Sequence, residues 1–293
     1  MLDELIGGLL ENQPQINVFR SKIAEPEGDL AQTFYGKMQV FNSDFFYLHL
    51  KDHARFLVTQ PEDVTNIHVD LLEEHDWPIV KSWLFGSVFT AALQMNNRFA
   101  IHASAVMKDN QLYLFCGHSG IGKSTIASQL HTKGYPLFSD DKCVLFWSEK
   151  NALQSYPSLK ITRLWENSAE ELTDDGFIHS PTKVALRQNK YQYLLSDAQV
   201  IDECKCVHSI YRIHDGPKDS RLQIKHPAGI QKIKQFRNQT HRLNYVKGLG
   251  KQKIHWEYMQ KIIQNIPYSV INRPKGTSIS EFVDFVEQNI IKH

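Results

Sequence analysis

The sequence lacks any run of 18 or more apolar residues, the length that a membrane-spanning helix requires. It has only four cysteines and no C-x-x-C pair, which argues against a disulfide framework and against a zinc site. Its first residues, MLDELIGGLL, carry acids and no basic region, unlike a secretory signal. We therefore expect no membrane association and a cytoplasmic location.

The positive and negative charges nearly balance overall, but one region of the chain has few basic residues and another has few acidic residues. Residues 1–80 hold 14 acidic and 5 basic side chains, whereas residues 216–253 hold 10 basic and 1 acidic. The basic stretch fits a solvated helix face, or a surface that attracts an acidic peptide or a neighbouring subunit's acidic N-terminal region. The latter would make the chain a homo-oligomer. Nucleic acid is disfavoured, because no binding motif accompanies the charge.

The nonapeptide GHSGIGKST matches the phosphate-binding pattern G-x-x-x-x-G-K-[ST]. Apolar residues before it predict a strand, and apolar residues after it recur at helical spacing. Glycines open backbone angles that let successive N–H groups surround anionic oxygens. We call this segment the phosphate loop, and its predicted nucleotide-binding residues are Gly117, His118, Ser119, Gly120, Ile121, Gly122, Lys123, Ser124 and Thr125.

Two side chains of the phosphate loop have roles that follow from their chemistry. Lys123 is expected to reach the β- and γ-phosphates, and the Ser124 hydroxyl to ligate Mg²⁺. The N-terminus of the following helix adds unpaired N–H groups and a dipole that favours negative charge. The predicted cofactors are therefore ATP and Mg²⁺.

A histidine and two acids flank the loop. His102 lies 21 positions before Lys123 in an apolar run predicted as a strand, and a short apolar segment downstream ends in Asp140 and Asp141. Carboxylates at a strand end beside a phosphate loop are placed to meet Mg²⁺ and a nucleophile. Adjacent carboxylates of an extended chain point to opposite faces, so one can hold the metal while the other accepts a proton. A buried core histidine and a simple strand end are the alternatives.

The segments HASAV, GHSGIGKST and LFSDD, in this order and spacing, resemble the catalytic domain of HPr kinase/phosphorylase, a bacterial protein-serine kinase. That family's fold is akin to that of phosphoenolpyruvate carboxykinase. The segment WLFGSVFTAALQMNNRFAIHASAV is more similar to HPr-kinase-related proteins found with lasso-peptide biosynthesis, some of which phosphorylate a serine near the end of the precursor peptide. The resemblance covers residues 83–165, with weaker similarity at SLKITRLWE and IPYSVINRP.

This resemblance implies roles only at matching positions. Asp141 stands where the family has the base, and His102 where a histidine acts near the transferred phosphate, so that with Lys123 they form the implied catalytic set. The resemblance implies Ser124 and Glu166 as metal ligands, and Asp140, the other acid of the pair, completes the predicted metal set. The family also uses a downstream arginine, for which the open alternatives are Arg187, Arg212 and Arg237.

The predicted function is an ATP- and Mg²⁺-dependent kinase that phosphorylates a serine of a peptide or small protein, including a lasso precursor peptide. A small-molecule kinase is one alternative, and a nucleotide-binding regulatory ATPase without phosphotransfer is another. The sequence contains no N-K-x-D and no LSGGQ-like signature, so G proteins and transporter ATPases are disfavoured.

The predicted fold is α/β, with an HPr kinase/phosphoenolpyruvate carboxykinase-like P-loop core in residues 83–293. Residues 1–82 are predicted as a β-rich region packed on that core, with strands in MQVFNSDFFYLHL and ARFLVTQ. A helix is predicted from Trp83 to Met95, and two more near the C-terminus. Cys204, Cys206 and His208 alternate in an apparent strand, where ordinary packing is favoured over a metal site.

Overall fold

The computed structural model describes residues 15–26, 31–33, 37–158, 161–165, 177–183, 190–195 and 201–292. The chain is mixed α/β and forms two compact units. The first comprises Met1–Arg98 with Asn244–Gln252, and the second Phe99–Leu243 with Lys253–His293. The predicted boundary after residue 82 and the predicted packing of the two regions stay predictions. Within the described ranges, no helix has the length and apolarity needed to cross a membrane.

The first unit contains one six-stranded sheet. Its strands are β1 (Ile16–Arg20), β2 (Ala31–Thr33), β3 (Lys37–Phe41), β4 (Phe45–Leu50), β5 (Ala54–Thr59) and β6 (Thr65–Leu71). They lie in the order β1-β6-β5-β4-β3-β2, and only the β1–β6 pair is parallel. The strictly alternating burial along β5 turns one face of the sheet to a core. The strands predicted in this region are confirmed.

A helical run covers the buried face of this sheet. It consists of α1 (Trp77–Trp83), a π-helical turn (Leu84–Val88) and α2 (Phe89–Met95). The predicted helix is confirmed, although it begins earlier, after the Asp76 carboxylate that accepts the Ile79 N–H and caps the first turn. A short helix, α5 (Leu243–Gly248), adds Tyr245 to the same core.

The second unit contains a nine-stranded sheet that carries the phosphate loop. Its strands are β7 (Phe99–Ile101), β8 (Ala103–Lys108), β9 (Gln111–Cys116), β10 (Leu137–Ser139), β11 (Cys143–Trp147), β12 (Leu153–Ser155), β16 (Lys205–Gly216), β17 (Gln223–Lys225) and β18 (Tyr268–Pro274). The main path is β10-β8-β9-β16-β12-β11-β7, and β18 also pairs with β16 and β17. The pairs β9–β16 and β16–β18 are parallel, which brings their carboxyl ends to one edge.

Helices pack around this sheet. They are α3 (Lys123–Thr132), α4 (Gly229–Arg237), α6 (Gln252–Asn265) and α7 (Ile279–Val286), the last extended by a π-helical turn (Glu287–Ile291). One apolar core joins α3 and α7 to β8, β9 and β16 through buried side chains such as Ile126, Phe115 and Phe282. The two predicted C-terminal helices, α6 and α7, are confirmed. The strands β13 (Ile161–Trp165), β14 (Phe177–Lys183) and β15 (Lys190–Leu195) form a separate antiparallel sheet.

Candidate active site

The phosphate loop joins β9 directly to α3, as the sequence predicts. Three glycines adopt positive φ, at +150° for Gly117, +84° for Gly120 and +99° for Gly122. Gly117 also passes so close to β16 that a Cβ there would lie 2.8 Å from the Ile213 carbonyl oxygen. The first glycine is therefore required both by backbone angle and by the approach of the neighbouring strand.

Lys123 lies inside the loop, at the first residue of α3. Its ammonium group donates to the carbonyl oxygens of Gly117 at 3.0 Å and His118 at 2.9 Å, and the side chain is buried. Ser124 follows on the first helical turn and is partly exposed. The loop thus holds a positive charge at its centre and turns the N-terminus of a ten-residue helix toward the same place.

Two groups from later strands surround the loop. His118 Nε2 lies 3.1 Å from the Asp215 carboxylate at the end of β16. Arg273 on β18 places Nη1 3.5 Å from the Ile121 carbonyl oxygen and stacks its guanidinium over the Phe282 ring at 4.8 Å. Sequence reasoning missed Arg273, although it lies in the segment IPYSVINRP, because an arginine close to a loop 150 positions away leaves no local pattern.

His102 does not lie in a continuous strand, contrary to the prediction. The chain bends there between β7 and β8, because the His102 N–H donates to the Gln239 carbonyl oxygen at 2.8 Å instead of to a sheet neighbour. The ring Nδ1 lies 2.8 Å from the Asp141 carbonyl oxygen and 3.3 Å from the Asp141 Oδ1. A carbonyl oxygen only accepts, so Nδ1 carries the proton and Nε2 keeps a lone pair when the ring is neutral.

The environment of His102 favours the neutral ring. Burial, and after it the positive charge of Lys123, lowers the pKa of His102, while the negative charge of Asp141 opposes them. His102 is therefore within the electrostatic influence of both other predicted catalytic residues, Lys123 and Asp141.

The side chains of Asp140 and Asp141 point to different surroundings, as expected. The reason is the left-handed backbone at Asp141 and not an extended chain. Asp141 has φ +78°, a left-handed conformation, and its side chain stays partly exposed beside His102. Asp140 is buried, where Oδ1 accepts from the Ser104 hydroxyl at 2.6 Å and Oδ2 accepts from the Thr162 hydroxyl at 3.0 Å. The metal role of Asp140 stays a prediction.

A second histidine, absent from the predicted site, lies beside the first. The ring centroids of His241 and His102 are 6.3 Å apart. Burial, followed by the positive charge of Lys142, lowers the pKa of His241 to about 3. The sequence shows His241 only as part of a basic stretch, so a contact with His102 could not be foreseen. We call His102, Asp141 and His241 the acid–histidine cluster.

The remaining predicted residues fall elsewhere. Glu166 and Arg187 lie outside the described residues. Arg212 lies on β16 opposite Cys116, the residue before the phosphate loop. Arg237 instead lies near His255, where burial is the larger cause and the Arg237 charge the smaller cause of a lowered histidine pKa. Which arginine assists the reaction stays a prediction.

The cysteines behave as packing residues where the structure describes them. Cys116 and Cys143 are fully buried, and burial raises the pKa of both thiols to about 12. The Cys206 sulfur accepts from the Gln154 side chain, and His208 contacts Gln111. In the described part of the chain, no group of three or more histidine, cysteine or acidic residues is arranged to hold a metal ion by itself.

Comparisons with known proteins add little to this geometry. No protein-family model matches the chain, and no curated protein matches it. Among solved structures it is similar to the Hpr(Ser) kinase/phosphatase from Coxiella burnetii, at 18% identity over 66% of this chain and 97% of that chain, with a TM-score of 0.35. A superposition at that score carries no argument about fold or activity.

Proposed function

We propose that this chain is an ATP- and Mg²⁺-dependent kinase that transfers the γ-phosphoryl group to a serine hydroxyl of a peptide or small protein. The observation that carries the proposal is the pairing of a glycine-built phosphate loop around Lys123 with an Asp141–His102 contact in its electrostatic range. A loop alone supports nucleotide binding, and the adjacent carboxylate supports a hydroxyl acceptor.

The residues present fit ATP with Mg²⁺. The positive φ angles of the loop glycines and the buried ammonium of Lys123 suit a polyphosphate, and Ser124 and the two aspartates supply the oxygen donors that Mg²⁺ prefers. Ser124 and Asp140 are the described residues that would hold the metal. When bound, Mg²⁺ neutralises charge on the phosphoryl oxygens.

The reaction needs little covalent chemistry from the protein. The serine oxygen forms a bond to the γ-phosphorus, the bond from that phosphorus to the β–γ bridging oxygen breaks, and ADP leaves with the electron pair. The serine proton goes to the Asp141 carboxylate, whose Oδ1 lies 3.3 Å from His102 Nδ1. Lys123 offsets the phosphate charge, and Asp140, through Ser104 and Thr162, anchors the segment that carries Asp141.

The test is incubation of the protein with ATP, Mg²⁺ and the peptides encoded beside its gene, followed by mass measurement. We expect a mass gain of one phosphate on a peptide serine, and none with Lys123→Ala. A lasso precursor peptide is the acceptor that the sequence resemblance suggests. Hydrolysis of ATP with no modified peptide would instead support a regulatory ATPase, and a phosphorylated metabolite would support a small-molecule kinase.

A further inference from the structure

The segment Gln239–Arg242 is held against the bend that carries His102. The His102 N–H donates to the Gln239 carbonyl oxygen, and the His241 N–H donates to the Ala100 carbonyl oxygen, both at 2.8 Å. An isolated antiparallel bridge lies between these two bonds. A part of the basic stretch therefore lies at the candidate active site, far in sequence from the acids it adjoins.

Buried contacts fix the same segment from its other side. The Thr240 hydroxyl oxygen lies 2.9 Å from His255 Nε2, and both side chains are buried. The His255 ring in turn meets the Phe99 ring edge-on at 4.7 Å between centroids. The core of the second unit thus fixes the position of Thr240, and with it the backbone position of the residues that follow, His241 and Arg242.

Two cations are next in sequence to residues of the acid–histidine cluster. Lys142 directly follows Asp141, and Arg242 directly follows His241. Arg242 is exposed and Lys142 is partly exposed. The charges of both act on the His241 ring, whose centroid is 6.3 Å from that of His102. The cluster therefore has two cationic neighbours with solvent access, although its proposed base is an acid.

Strained backbone conformations are found at two residues of this region. Asp141 has φ +78° and Arg242 has φ +54°. The left-handed conformation costs a residue other than glycine roughly 1–2 kcal/mol. It persists where the surrounding structure holds it, which is common at binding sites.

We propose that Lys142 and Arg242 bind a carboxylate of the acceptor polypeptide, next to the serine that receives the phosphoryl group. This inference rests on the proposed kinase function and names its substrate class. The phosphate loop supplies its own N–H groups and Lys123 to a nucleotide, whereas these two cations follow Asp141 and His241, two residues of the acid–histidine cluster. A carboxylate there would meet Asp141 unfavourably unless cations flanked it.

The rest of the basic stretch suits the same partner. Within the second unit, residues 216–243 hold 7 basic side chains against 1 acidic, and α4 leads into the segment. A surface of one sign concentrates and orients a partner of the opposite sign before it docks. The carboxylate can come from an acidic side chain or from the end of the acceptor chain, and both present the same chemistry.

Four synthetic peptides that share a single serine separate these sources. In two of them the residue beside serine is Glu or Gln with an amidated C-terminus, in the third it is Lys with the same amide, and in the fourth serine precedes a free C-terminal carboxylate. The measurement is kcat/KM for phosphate incorporation from ATP and Mg²⁺. We expect at least one carboxylate peptide to exceed the Gln amide by about tenfold or more, the scale of one charge-assisted hydrogen bond.

Variants of the cations show whether they cause the preference. The double variant Lys142→Gln with Arg242→Gln should reduce it to about threefold or less, and Arg242→Glu should favour the Lys peptide. Lys234→Gln, at an exposed lysine of α4 in the same basic stretch, is the matched control and should keep the preference. Thermal unfolding and binding of a fluorescent ATP analogue check that each variant is folded and binds nucleotide.

The outcomes distinguish the two proposals. Equal transfer to all four peptides, or an intact preference in the double variant, would overturn this inference and leave the kinase function standing. A loss of nucleotide affinity in the double variant that matches its loss of transfer would assign the cations to the nucleotide and also overturn it. Phosphate on none of the peptides would overturn both proposals.

Discussion

The phosphate loop and the acid–histidine cluster are adjacent parts of one candidate site, yet they are built in opposite ways. The loop consists of nine consecutive residues that run from the end of β9 into the first turn of α3, and it acts through backbone geometry. The cluster takes one residue each from the bend after β7, the segment after β10 and the segment after α4, and it acts through side chains. The phosphate loop should therefore keep its function when side chains other than its glycines, Lys123 and Ser124 are changed. The acid–histidine cluster should lose its function when its side chains are changed.

The largest expected effect is at Asp141. Asp141→Asn removes the proposed proton acceptor while keeping its shape, so kcat for phosphotransfer should fall by about 10²–10⁴-fold. The affinity for ATP, measured by fluorescence or calorimetry, should stay within about threefold of the original protein, whereas Lys123→Ala should lose nucleotide binding as well. Full transfer by the asparagine variant would show that the base is another group.

The next effect tests the backbone geometry of the loop. Gly117→Ala would place a Cβ 2.8 Å from the Ile213 carbonyl oxygen, so it should lower the free energy of unfolding by about 1–3 kcal/mol and weaken ATP binding. Gly134→Ala is the matched control, because Gly134 also has positive φ, +93°, with no atom within 4 Å of an added Cβ. Equal losses of ATP affinity in both variants would contradict a steric requirement at Gly117.

A smaller effect concerns the pH dependence of stability. The native state holds His241 neutral, with a pKa lowered to about 3, whereas the unfolded chain takes up a proton below about pH 6.5. The free energy of unfolding should therefore fall as pH falls below 6.5. His241→Gln should reduce that slope by about 1.4 kcal/mol per pH unit, measured by denaturant titration at several pH values. An unchanged slope would mean that His241 is protonated in the native state.

The smallest effect is expected at a side chain of the loop itself. His118→Ala removes an exposed contact with Asp215, which is worth about 1 kcal/mol or less. ATP affinity should change by about threefold or less, because the loop presents backbone N–H groups to phosphate. A tenfold loss of ATP affinity would contradict the contrast between the two parts of the site, because it would show that the His118 side chain itself helps to bind the nucleotide.

The regular elements were predictable wherever the pattern is local. Apolar stretches bounded by Pro, Asp and Asn predicted β4 and β5, and helical spacing predicted α6 and α7. The strand through His102 was predicted wrongly. Its apolar neighbours continue the strand pattern on both sides, but a hydrogen bond to Gln239 draws its backbone out of the sheet.

Site residues divide in the same manner. Lys123, Asp141 and His102 were named from spacing and from a family resemblance, and the structure brings them together. Arg273 and His241 were not named, because their partners are distant in sequence and their own neighbours carry no pattern. Asp140 was named, but its buried contacts with Ser104 and Thr162 depend on strand pairing that a sequence does not show.

The sequence by itself determined the phosphate loop, because a nest of N–H groups needs only adjacent residues with the right backbone freedom. Tertiary structure alone decided what faces that loop. The bend at His102, its contact with Asp141 and the approach of His241 are held by hydrogen bonds between segments far apart along the chain. Such bonds depend on how whole strands pair, which no short stretch of residues encodes.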